Sequence, residues 1–241
     1  MNERATQPIA IMFAMRAEAE PFLQQCAAQR LAVDSPLPIE LYQATMAGLP
    51  LIISVNGKDQ RYAVDRIATE AAAVSAYIVL QGYQPSLLIS AGTCGAVNPL
   101  LQVADVLWVD QPICYHDHRI PLAEFADYGL GRYPVFFDAA IAESLALAGG
   151  CLSSGNSLDV CAADLQQLQL LGSDIKEMEA AAIARLCEDF SVPFIALKAV
   201  TNPVKVDHDA GAVFEENLAR SVQALSGKLY ALLQELITRE N

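Results

Sequence analysis

Basic residues are scarce in this 241-residue chain: 15 Lys+Arg stand against 28 Asp+Glu, a net charge of -13. A surface so short of positive charge opposes nucleic acid and anionic membrane as partners, and an anionic substrate would need a local basic pocket. Charge of either sign is thin, at 18% of residues. No apolar run reaches membrane-spanning length, because Gly, Pro or charge interrupts the longest ones. The six cysteines (Cys26, Cys94, Cys114, Cys151, Cys161, Cys187) form no CxxC pair and no zinc-type spacing. They read as free thiols of a reducing compartment, and the opening MNERATQPIA lacks a secretory pattern, so a soluble, cytoplasmic protein is expected. The histidines His116, His118 and His208 make no ligand cluster; no metal and no organic cofactor is expected.

What is present is apolar residue, 54% of the chain, ample for one large core, and we read residues 1–241 as a single domain. Short β-rich runs alternate with longer Ala/Leu-rich stretches. Strands are expected at Ile9–Phe13, Leu51–Val55, Leu87–Ser90, Val106–Val109 and Phe194–Val200, and helices at Tyr62–Gln81, Ala139–Ala148, Ala163–Leu171, Glu177–Phe190 and Phe214–Leu236. That alternation predicts an α/β fold, a three-layer αβα sandwich with a mixed, mostly parallel central sheet. The first and last strands are near-continuous apolar runs, as strands covered on both faces should be. Ligand-binding residues then belong where such strands end. The stretch Cys114–Pro134 reads as a long ordered loop, of a length that is usually functional or part of an interface.

Four segments could carry chemistry. In IAIMFAMRAEAEPFL a strand runs into Glu18 and Glu20; Glu18 shares a helical face with Phe22, which turns it toward the core, although both carboxylates also suit a helix N-terminus. In LLISAGTCGAVNP a strand is followed by Ala91, Gly92, Thr93, Cys94 and Gly95, small residues that let a ligand approach the backbone, or that simply make a tight turn. The spacing fits neither a dinucleotide loop nor a P-loop. In SDIKEMEAAAIARLCEDF, Glu179 lies on the stripe of Ile183, Leu186 and Phe190, whereas Glu177 shares a face with Arg185 and Glu188. A carboxylate on a core-facing stripe needs a hydrogen-bond donor, such as a sugar diol or Lys198 on a neighbouring strand. In FIALKAVTNPV a buried strand ends on Thr201, Asn202 and Pro203, a ligand position or an ordinary Asn-Pro turn.

Together these segments resemble the purine and uridine phosphorylase superfamily, and within it the 5′-methylthioadenosine/S-adenosylhomocysteine nucleosidases, above all the plant type. AMRAEAEPF, SAGTCG, YHDHRIP, SSGNSLDV, KEMEAAAIA and KAVTN occur in the family's order over nearly the whole chain. The resemblance implies a nucleoside phosphorylase-like fold and hydrolysis of a purine N-glycosidic bond, with 5′-methylthioadenosine favoured and S-adenosylhomocysteine a bulkier candidate. It implies that Glu18 is the general base that deprotonates the attacking water, and that Glu179 grips the ribose hydroxyls with Met178 beneath the sugar. Thr93, Cys94 and Gly95 would line the ribose side, Leu158 and Asp159 the purine, and Glu177 would belong to the substrate-binding set. Tyr115 would sit in a loop donated across a homodimer to the 5′-substituent pocket.

One position departs from the pattern. The nucleosidases carry Asp where this chain has Asn202, and that Asp protonates N7 of the leaving purine; an amide can donate a hydrogen bond but not a proton. Asn202 fits a substitution made to trap an intact nucleoside, an enzyme for 6-oxopurines of the futalosine hydrolase kind, or a weakened homologue. A purine nucleoside phosphorylase is the rival enzyme class and needs cations near the nucleophile, for which Arg16, Lys58 and Arg61 are the nearest in sequence. A nucleoside-binding sensor that has lost catalysis is the non-enzyme alternative.

Overall fold

The computed structural model describes residues 7–205 and 210–240. Its strands are β1 (Ile9–Phe13), β2 (Gln29–Arg30), β3 (Glu40–Met46), β4 (Leu49–Val55), β5 (Leu87–Ala96), β6 (Val106–Trp108), β7 (Cys114–Tyr115), β8 (Leu152–Ser154), β9 (Ile175–Glu177) and β10 (Phe194–Pro203). The α-helices are α1 (Arg16–Gln25), α2 (Ala68–Tyr83), α3 (Ala126–Leu130), α4 (Ala139–Ser144), α5 (Ala162–Leu170), α6 (Ala180–Asp189) and α7 (Ala210–Glu240). All ten strands join one sheet in the order β2-β3-β4-β1-β5-β9-β8-β7, with β10 pairing β5 and β6. The pairings β1–β4, β1–β5, β5–β10, β7–β8 and β8–β9 are parallel, and β2–β3, β3–β4, β5–β9 and β6–β10 antiparallel.

Period-two alternation divides each central strand between two apolar layers. Ile9, Ile11 and Phe13 of β1 and Ile195, Leu197 and Ala199 of β10 face Phe22 of α1 and Leu225, Leu229 and Leu232 of α7. Ala10 and Met12, with Phe194, Ala196 and Val200, face Ala72, Ala76 and Val79 of α2 and Ala180, Ile183 and Cys187 of α6. The expected αβα sandwich with helices on both sides of a mixed, mostly parallel sheet is therefore the observed one.

Several boundaries differ from expectation, each for a local reason. The helix expected from Tyr62 begins only at Ala68, because Asp59 Oδ1 accepts from the amides of Arg61 and Tyr62 and turns the chain there. The helix expected to reach Ala148 stops at Ser144, and Ala146 lies in the left-handed region at φ 49°. The small residues after Ser90 do not turn: β5 continues through Ala91, Gly92, Thr93, Cys94 and Gly95 to Ala96, paired with β10 on one side and with β9 near its end. The loop expected from Cys114 to Pro134 contains β7, a 3₁₀ turn at Ala123–Phe125 and α3. The largest correction concerns Glu177, which ends strand β9, so α6 starts at Ala180 and Glu177 shares no helical face with Arg185 and Glu188. No helix among the described residues is long and apolar enough to cross a membrane.

Candidate active site

Strands β1, β5 and β10 run parallel and end on one side of the sheet, where the antiparallel β9 begins beside the end of β5. Their ends frame a cleft with about 650 Å³ of atom-free space, mouth included. Glu18, Thr93, Cys94, Gly95, Leu158, Glu177, Met178, Glu179 and Asn202 all line it, joined by Met15, Ile67, Lys176 and Phe214. Four segments far apart in sequence thus meet as expected of carboxyl strand ends.

Glu18 sits in the first turn of α1 and is buried. Its Oε1 accepts from the amide of Thr93 at 2.8 Å and from the Thr93 hydroxyl at 2.7 Å, and its Oε2 accepts from the Met15 amide at 3.1 Å. Burial raises its pKa, and the Thr93 donors and the charge of Lys198 only partly offset that. Gly92 lets the two elements close up: a Cβ there would stand 3.2 Å from Glu18 Oε1 and 3.5 Å from Lys198 Nζ. Glu20, two residues on, instead pairs with Arg16 at the surface.

Lys198 is the electrostatic centre. It is fully buried on β10, donates to Ser90 Oγ at 3.0 Å and pairs with Glu177 Oε2 at 3.1 Å. Of the two donors open to Glu179 in the sequence, a sugar diol or Lys198, the lysine is taken by Glu177, which lies on β9 and not on the helix. Burial works against the lysine's charge, but Glu177, Glu179 and Glu18 outweigh it and raise its pKa. Glu177 spends its oxygens within the protein, accepting from Lys198, the Ser154 hydroxyl and the amides of Glu179 and Ala180. It thereby caps the start of α6 while lining the cleft.

Glu179 occupies the N-cap of α6 and reaches across to α2, where its Oε1 accepts from the Ala68 amide at 2.7 Å. Ile67, the N-cap of α2, has no side-chain acceptor, so Glu179 and Asn156, which takes the Thr69 amide at 3.0 Å, supply the missing caps. Burial, with the nearby charges of Glu177 and Glu18, pushes the Glu179 carboxyl up to about 8.

Asn202 is buried at the end of β10, just after a bulge, with Oδ1 accepting from the Thr201 hydroxyl at 2.8 Å. Asp159 stands apart from the cleft lining, and so does Tyr115, whose expected place is the pocket of a second copy. Tyr115 is buried, stacked on His118 at 3.7 Å and edge-on to Tyr133. Asp159 is exposed, and its carbonyl is held by Lys176. The candidate phosphate cations are also elsewhere: Arg16 bonds Glu20 and Glu40, and Arg61 lies over Tyr62. Among the described residues no three His, Cys, Asp or Glu side chains are grouped as a metal site requires, and His208 lies outside those residues.

A three-layer αβα sandwich whose carboxylates meet at the carboxyl ends of β1, β5 and β10 is the architecture of nucleoside-cleaving enzymes. The sequence pattern of the phosphorylase superfamily matches residues 8–238, and the chain belongs to that family. It is 31% identical over 229 residues to a 5′-methylthioadenosine nucleosidase of Arabidopsis thaliana, covering 93% of this chain and 85% of the relative. It is 30% identical over 243 residues to a 5′-methylthioadenosine/S-adenosylhomocysteine nucleosidase of the same plant, covering 98% and 93%. The structure of A. thaliana 5′-methylthioadenosine nucleosidase in its apo form superposes with a TM-score of 0.90 at 30% identity, over 96% of each chain.

The raised Glu179 has a consequence for stability. The folded protein keeps that proton where the unfolded chain, titrating near 4.5, has lost it, so the contribution is complete below pH 4.5 and is lost as pH rises toward about 8. Urea melts of the unaltered protein and of Glu179→Gln between pH 5 and pH 8 should show the smaller decline in the variant; an equal decline would place the Glu179 titration near its ordinary value.

Proposed function

We propose that this chain hydrolyses the N-glycosidic bond of a purine nucleoside, with 5′-methylthioadenosine as substrate and water as nucleophile. The observation that carries the reading is that the buried Glu18 and the half-buried Glu179 face one cleft, with the charge of Lys198 close behind both. Glu18, raised by burial and steadied by Thr93, is poised to accept the proton of a water attacking C1′. Glu179 grips the ribose hydroxyls, with Met178 beneath the sugar and Leu158 against the base. Asn202 donates a hydrogen bond to N7 as the bond to C1′ lengthens. The names of the two plant relatives support the substrate, and S-adenosylhomocysteine is the bulkier second candidate.

Water is favoured over phosphate because Lys176 is the one cation among the described lining residues, and its three protons are taken by backbone carbonyls. Glu18→Gln and Glu179→Gln should each lower kcat/KM by about 10²- to 10⁴-fold, while Glu20→Gln stays near the unaltered value. Free 5′-methylthioribose should appear at the same rate with or without phosphate. Phosphate-dependent release of the sugar 1-phosphate would establish a phosphorylase, and tight binding without turnover a sensor.

Asn202 supports a second reading, a 6-oxopurine nucleoside hydrolase, since an amide can donate to N7 and O6 together. Release of base from inosine and adenosine analogues separates the two. Under the leading reading Asn202→Asp restores an acid and should raise turnover of 5′-methylthioadenosine by about 100-fold; a faster inosine analogue in the unaltered chain, slowed by Asn202→Asp, would establish the second.

We further infer a cytoplasmic homodimer. All six cysteines are free, which suits a reducing compartment. Val74 and Tyr77 on α2 and Ile120, Leu122, Phe125 and Tyr128 beyond β7 are exposed, an apolar area of the kind that a second copy covers. Sedimentation should give the mass of two chains, shifted toward one by combining Tyr77→Glu with Leu122→Asp; a monomer at micromolar concentration would refute the dimer.

A further inference from the structure

The cleft wall holds one charge that the hydrolytic chemistry above leaves unused. Lys176 on β9 is 3% exposed, and its Nζ donates to three successive carbonyls: Ser157 at 2.6 Å, Leu158 at 2.9 Å and Asp159 at 3.2 Å. Those bonds use all three ammonium protons. Among the described residues no carboxylate lies within ion-pair distance of it. Burial depresses its pKa, with Asp159, Asp164, Glu177 and Asp117 acting the other way from farther off. A buried ammonium without a counter-ion is unfavourable, and an apolar side chain would fill a strand position more cheaply.

The sheet register says what this charge faces. Gly95 of β5 pairs with Lys176 on one side and with Asn202 on the other. Residues in register project to the same face, so the two side chains stand on either side of the glycine, their backbones roughly 10 Å apart. Gly95 puts no side chain between them; a Cβ there would meet Val204 Cγ2 at 2.7 Å and Asn202 Nδ2 at 3.6 Å. All three residues line the cleft together with Leu158.

We propose that Lys176 is the residue that supports the leaving group: from the wall opposite Asn202 its ammonium stabilises the negative charge on the departing base and holds the 157–159 backbone beside it. This rests on the nucleosidase reading. When the C1′–N9 bond breaks, its electron pair stays on N9 and spreads over the purine ring. The water oxygen bonds to C1′ and passes a proton to Glu18. Asn202 donates a hydrogen bond to N7 but keeps its proton, so the base departs as an anion and takes a proton from solvent afterwards. A fixed cation in a buried wall acts most strongly where that charge is greatest, in the transition state.

The test compares leaving groups. Lys176→Gln keeps a donor for the loop carbonyls without the charge, Lys176→Met removes both, and Lys176→Arg keeps the charge. Each is assayed with 5′-methylthioadenosine and with 4-nitrophenyl riboside, whose leaving anion is stable unaided. With the nucleoside, kcat in the Gln and Met variants should fall on the order of 100-fold with KM little changed, while the nitrophenyl riboside is cleaved at close to the unaltered rate. Lys176→Arg should recover most of the loss, and in an Asn202→Asp background, where a proton is available, the loss should shrink. Lys176→Gln decides if Lys176→Met fails to fold, and the Asn202→Asp cycle decides if the nitrophenyl riboside is not cleaved. Equal losses on both substrates, full nucleoside activity in Lys176→Gln, or an undiminished loss beside Asp at position 202 overturns the assignment while leaving the hydrolase reading intact. An unaltered chain that releases base from no purine nucleoside overturns both.

Discussion

The site depends on a single buried ammonium among three carboxylates. Lys198 pairs directly with Glu177, and its charge also reaches Glu18 and Glu179. Burial works against charge on Glu18 and Glu179, the neighbouring carboxylates add to this at Glu179, and Lys198 offsets both only in part. Glu179 is thereby pushed up to about 8, while Glu18 is raised by burial with its Thr93 donors working the other way. Glu177, fixed by Lys198, Ser154 and two amides, is the counter-ion that keeps the lysine in place. The buried pair therefore serves chemistry more than stability, since such pairs rarely exceed a well-packed apolar alternative.

The same carboxylates tie the secondary structure to the cleft. Glu177 caps α6 and Glu179 caps α2, so both helix starts are completed by residues at the site. Ala68, at the start of α2, adopts φ 74°, a conformation that a residue other than glycine keeps only where its surroundings impose it. Ribose binding at Glu179 would therefore act on the end of α2 as well as on the sugar, and Ile67, next to that end, already lines the cleft.

Position 202 gives the two halves of the reaction unequal support. The water side retains a raised carboxyl, its hydroxyl and amide donors, and the nearby lysine. The base side has an amide in place of an acid, and across Gly95 the buried ammonium of Lys176. Stabilising an anion and protonating it are different solutions to one requirement, and the charge row Lys176, Gly95, Asn202 suits the first.

Much of this was legible in one dimension. Apolar runs in β1 and β10, the stripe of α6 and the Glu18–Phe22 spacing depend on the periods of strand and helix, which sequence displays directly. The motif-carrying residues Glu18, Thr93, Gly95, Met178, Glu179 and Asn202 meet in the cleft because β1, β5 and β10 end on one side of the sheet, where β9 lies beside the end of β5. Other assignments required tertiary structure. Helical periodicity extended backward from Ala180 put Glu177 on a solvent face, whereas pairing with β8 makes that residue the end of a buried strand. Lys176 gave no signal, because a lysine in a polar stretch looks exposed until three carbonyls converge on it. Asp159 carried motif resemblance, but its side chain is exposed and its carbonyl is held by Lys176, a backbone contact that no motif encodes. Sequence by itself determined which residues could form strands, helices and a carboxylate site, since those follow from local period and residue chemistry. Only the tertiary structure decided which carboxylate pairs with Lys198 and what stands opposite Asn202, because both depend on the register of strands distant in the chain.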